Sequence, residues 1–175
     1  MAEGWKSIVE DWPETARMSA MEVADKYGAP DIACSDMVKW KNIPGYAWLK
    51  VSSMEAEHDF PVEHKDVMDL AIAYKVPADK LQALREFDGS AVVMPTKGLL
   101  VAGCFKEGLN LAILNLCNDI CKDEITPEEA RKKFAMMAMD MMKNNKMDAY
   151  LMRLQFTTES RSKTADPDKA MAMSM

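Results

Sequence analysis

Long apolar runs are missing from this chain of 175 residues. No stretch approaches the roughly 20 apolar residues that span a bilayer, and the densest patches, 109–116 and 134–142, are broken by Asn or Asp. The opening Met1-Ala2-Glu3-Gly4-Trp5-Lys6 runs into Glu10, Asp11 and Glu14 without the apolar core of a secretory signal. A cytoplasmic protein without membrane insertion is therefore expected. Glycine (7) and proline (8) are too scarce for a fibrous or low-complexity chain. The four cysteines (Cys34, Cys104, Cys117, Cys121) form no C-x-x-C pair and read as small buried hydrophobes in a reducing compartment. Positive charge is short as well: 22 Lys and Arg against 28 Asp and Glu leave a net charge of −6, which disfavours a nucleic-acid binder. Phosphate loop, nucleophile elbow and dinucleotide fingerprint are all missing.

What is there suits one globular domain, with 49% apolar and 29% charged residues. Trp12-Pro13-Glu14 opens a helical pattern that continues through Ala16, Ala20, Val23 and Tyr27 to a stop at Gly28. Alternation over 33–41 and 47–52 around Pro44-Gly45 predicts a hairpin. A second is predicted for 90–94 and 99–103 around Lys97-Gly98. Between them the spacing of Val67, Leu70, Ala71 and Tyr74 predicts a helix from Pro61, followed by a short one from Pro77 to Phe87. Leu109 to Cys121 reads as a central helix, apolar on more than one face. Thr126-Pro127-Glu128-Glu129 is a capping box with proline at the first helical position, opening a helix to about Met142. Residues 147–156 fit helix or strand. The predicted fold class is α+β, an antiparallel sheet of about four strands in two hairpins packed against helices, with C-terminal helices. Residues 1–156 form the single domain and 157–175 a disordered tail.

Several segments stand out: Tyr27-Gly28-x-Pro30-Asp31, Trp40, His58-x-Phe60-Pro61-x-x-His64-x-Asp66, Tyr74-x-Val76-Pro77, Phe87-Asp88-Gly89-Ser90, and Asn115-Leu116-x-Asn118-Asp119-Ile120. In these the chain resembles a set of uncharacterised bacterial proteins over residues 12–135. The resemblance implies a shared fold and brings no activity or cofactor with it.

Two features compete for function. His58 and His64 are the two histidines of the chain, and both lie in the stretch 54–69, which carries six acids against Lys65. With Asp66 they offer imidazole and carboxylate to a divalent cation, although their spacing matches no ligand pattern. His58 is expected to precede a helix and His64 and Asp66 to sit in its first turns. A solvated acidic helix start is the plainer reading, and no cofactor, tight metal or catalytic residue is expected. With Asn115, from a row of amides on the central helix, they make a candidate polar pocket. Ser90 reads as a turn residue with no histidine to serve it. The other feature is methionine, 17 in all. Met136, Met137, Met139, Met141 and Met142 fall on one helix, and flexible thioethers suit adaptable apolar surfaces. The leading expectation is a non-catalytic accessory protein that binds a protein partner, or itself as a homodimer, through that helix. The rival is a metal-dependent, hydrolase-like protein using His58, His64 and Asp66.

Overall fold

Pro13 separates two helices at the start of the chain. In the computed structural model, which describes residues 4–158, α1 (Gly4–Glu10) ends just before it and α2 (Glu14–Tyr27) begins just after. α2 buries Ala16, Ser19, Ala20 and Val23 and stops at Gly28, whose φ of +83° suits glycine. The remaining elements are β1 (Ile32–Cys34), β2 (Met37–Trp40), β3 (Trp48–His58), β4 (His64–Ala73), α3 (Leu81–Phe87), β5 (Ala91–Met94), β6 (Leu99–Cys104), α4 (Glu107–Cys121), α5 (Pro127–Asn144) and α6 (Ala149–Met152). The strands form one sheet in the order β1-β2-β3-β4-β6-β5, every neighbouring pair antiparallel.

The fold is α+β with C-terminal helices, and both expected hairpins form, pairing Trp40 with Leu49 and Met94 with Leu99. The sheet has six strands rather than about four. One addition comes from a turn at Ser35-Asp36, which folds the stretch read as a single strand into β1 and β2. The other is β4, where a helix was expected. Val67, Leu70 and Ala71 do have helical spacing, but Met68, Ile72 and Ala73 are buried as well. A central strand covered on both faces reads as a continuous apolar run, which periodicity cannot tell from a helix.

Met68, Leu70 and Ile72 join the main core beneath α2 and α4. Ala71 joins a smaller cluster with Ala47, Leu99 and Val101, flanked by Trp48 and Met94. α4 is buried without interruption from Leu109 to Ile120. Its Gly108 lets α6 close in, since a Cβ there would stand 2.9 Å from the Leu151 carbonyl oxygen. The capping box of α5 has both its bonds, Glu129 N–H to Thr126 Oγ1 at 3.2 Å and Thr126 N–H to Glu129 Oε2 at 2.9 Å. The tail expected over 157–175 lies, from residue 159 onward, outside the described residues. Among the described residues, no helix is long and apolar enough to cross a membrane.

Candidate metal centre

The long β3–β4 hairpin sets His58 directly opposite His64, and Ala56 opposite Asp66. Side chains two apart on a strand share a face, so His64, Asp66 and Met68 all point to the helix-bearing side. The expected helix start is thus the tip of a hairpin, and strand geometry gathers what a helix would have spread over two turns. A turn with a cis Phe60-Pro61 bond joins the two strands.

One ligand atom from each of His58, His64 and Asp66 lies within 4.8 Å of the other two. Asp66 Oδ1 is 2.9 Å from His64 Nε2, and Asp66 Oδ2 is 3.2 Å from His58 Nδ1. Their side chains are 9–19% exposed. Other polar groups surround the three. The Val62 carbonyl accepts from His64 Nδ1 at 2.7 Å, which leaves Nε2 facing Asp66. Ser90 Oγ donates to Asp66 Oδ2 at 2.6 Å and lies 3.4 Å from His58 Nδ1. Asp88 Oδ1 stands 3.7 Å from His58 Nε2 and accepts the Ser90 N–H at 2.8 Å. Cys104, on β6, brings its Sγ to 3.6 Å from His64 Nε2. Phe60 and Phe105 flank the imidazoles, with ring centroids 6.4 Å from His58 and 5.4 Å from His64 respectively. Arg131 on α5 stacks on Phe60 at 3.6 Å and donates to the Phe87 carbonyl, which fixes the Asp88–Ser90 loop.

The electrostatics of this corner are unbalanced. Asp66 Oδ1 and Asp88 Oδ2 are buried and receive no N–H or O–H along a hydrogen-bond direction. Buried carboxylates need pairing, and these two depend on imidazoles. Burial opposes a charge on His64, but Asp66, Cys104 and the Val62 carbonyl together push it up to about 10. Burial raises Asp88 above the usual carboxylate range, against the Ser90 N–H and His58. Burial likewise raises the Cys104 thiol, against the pull of His64.

Asn115 does not join this group. Its amide donates to the Tyr150 and Arg153 carbonyls at 3.1 and 2.9 Å and accepts from Gln155 N–H at 2.7 Å, tying the chain around α6 to α4. Of the α5 methionines, Met137 is buried and Met141 packs against the core, while Met136, Met139 and Met142 are exposed by 64%, 41% and 44%. Asp88, Ser90 and Cys104 were not anticipated at the site. Ser90 does have a histidine beside it, contrary to expectation, because β4 brings its hairpin tip alongside the α3–β5 loop. The Asp-Gly-Ser turn was a usable signal for Asp88 and Ser90; Cys104 carried none. Compared with known proteins, the chain matches no protein-family model, no curated protein and no solved structure.

Proposed function

We propose that this protein binds a divalent transition-metal ion of the zinc class through His58, His64 and Asp66. The observation that carries the reading is that the three donors converge and that two of them are held from behind by hydrogen bonds, His64 by the Val62 carbonyl and Asp66 by the Ser90 hydroxyl. Outer partners of this kind fix the tautomer and aim of metal ligands. Nitrogen and oxygen ligands around tetrahedral zinc sit about 3.3 Å apart; Asp66 Oδ2 is 3.2 Å from His58 Nδ1, and its other oxygen, Oδ1, is 2.9 Å from His64 Nε2. A cation here would take the place of the His64 Nε2 proton, which faces Asp66 Oδ1 at 2.9 Å. All four cysteines are free thiols, in keeping with a cytoplasmic setting. Chelator-treated protein dialysed against zinc, then against metal-free buffer, tests the reading by elemental analysis. Stoichiometric zinc in the wild type and background zinc in a folded His64→Ala variant are expected. Wild-type protein that retains no zinc would overturn it.

The exposed Met136, Met139 and Met142 favour a second, compatible reading, in which this face of α5 binds a second copy or another protein. Light scattering at tens of micromolar tests the self-association. A dimer that Met136→Glu splits is expected, and a wild-type monomer counts against the homodimer.

A further inference from the structure

Asn115 lies away from the metal corner, and the backbone it holds lines a cavity of about 360 Å³. Its amide holds the Arg153 carbonyl and the Gln155 N–H at 2.9 and 2.7 Å, so residues 152–156 are tied to α4. Phe156 is fixed further by an edge contact with Tyr74, ring centroids 5.5 Å apart. Tyr27, at the end of α2, and Tyr46, just before β3, line the same cavity with their rings edge to face at 6.5 Å. Both phenols donate to Glu107 Oε1, and Lys26 donates to Oε2 at 2.6 Å. Burial and the Glu107 carboxylate raise both phenols above their usual range, so the tyrosines stay neutral.

The charge of the lining has one sign. Among the described residues that form it, Lys26 and Arg153 are cations and none is an acid. Glu107 answers Lys26. Arg153 is exposed and has no carboxylate partner among the described residues. A free guanidinium takes a carboxylate through two parallel N–H donors. The rings of Tyr27, Tyr46 and Phe156 offer faces and edges to a flat apolar body. The volume also suits a small molecule, for which sites run from roughly 300 to 1,000 Å³. We infer that this cavity binds a small aromatic carboxylate, with its ring among Tyr27, Tyr46 and Phe156 and its carboxylate on Arg153. None of the lining residues belongs to the metal corner, so the inference does not depend on the metal reading.

Protein-observed NMR of the full-length chain, titrated with naphthoate and with naphthylmethanol as its neutral counterpart, tests the assignment. Saturable naphthoate binding is expected, with shifts centred on the ring signals of Tyr27, Tyr46 and Phe156. Naphthylmethanol should bind at least about tenfold more weakly, the usual effect of losing a charge-assisted hydrogen bond. Arg153→Gln should lower the affinity for naphthoate by a similar factor and leave that for the alcohol unchanged. No saturable binding at millimolar naphthoate, or shifts centred elsewhere on the molecule, would overturn the site. Equal affinity for acid and alcohol would overturn the carboxylate and the role of Arg153. The wild-type comparison of acid and alcohol decides by itself if Arg153→Gln does not fold.

Discussion

His64 is the residue on which the account turns. Its Nδ1–H is committed to the Val62 carbonyl, so Nε2 either carries a second proton or presents a lone pair that can bind a metal. In the metal-free protein the first state prevails at neutral pH, because its neighbours raise His64 to about 10 in the folded chain against about 6.5 when unfolded. A group raised on folding stabilises the fold below its unfolded pKa, and the contribution is lost as pH rises through the folded one. Chelator-treated protein is therefore predicted to lose stability between about pH 6.5 and 10, a slope that denaturant melts should find flattened in His64→Asn. Behind Asp66, removal of the Ser90 hydroxyl should weaken zinc by about 10–100-fold, the usual effect of losing an outer partner. Competition with a chromogenic chelator measures this, and an unchanged affinity for Ser90→Ala would deny Ser90 its role. The three donors were visible in the sequence as the two histidines and an acid in one acidic stretch. Asp88 and Ser90 showed only as an Asp-Gly-Ser turn and Cys104 not at all, since they lie 24–40 residues away from the donors they meet and only strand pairing unites them.

At the level of elements, what could be read depended on local signals. The Thr126 capping box, the Pro44-Gly45 and Lys97-Gly98 turns and the apolar span of α4 each announce an element within a few residues, and each is found there. Thr126→Ala should cost about 1 kcal/mol, the worth of a lost N-cap; equal denaturation midpoints at equal slope would show that the cap contributes nothing. β4 had no such signal. Its apolar residues satisfy a helical stripe only if the other buried positions are ignored, and what makes it a strand is non-local, the ladders to β3 and β6 on either side. Misreading β4 also misplaced the site, because His64 and Asp66 share a face only in a strand.

For the whole molecule, the sheet order β1-β2-β3-β4-β6-β5 decides the chemistry. By placing β6 next to β4, it brings Cys104 and the loop before β5 to the hairpin that carries the histidines. A bound ion would hold the two strands of that hairpin together, and should raise the melting temperature of the chelator-treated protein in proportion to the zinc added until saturation. The exposed α5 methionines lie on a separate element, so an assembly formed through them should survive chelation. The most direct measurement is diffraction across the zinc absorption edge from crystals of the full chain grown with zinc. The account predicts one anomalous peak at this corner, about 2.0–2.2 Å from His64 Nε2 and from a carboxylate oxygen of Asp66. A map with no peak there, and His64 Nε2 still 2.9 Å from Asp66 Oδ1, would contradict it.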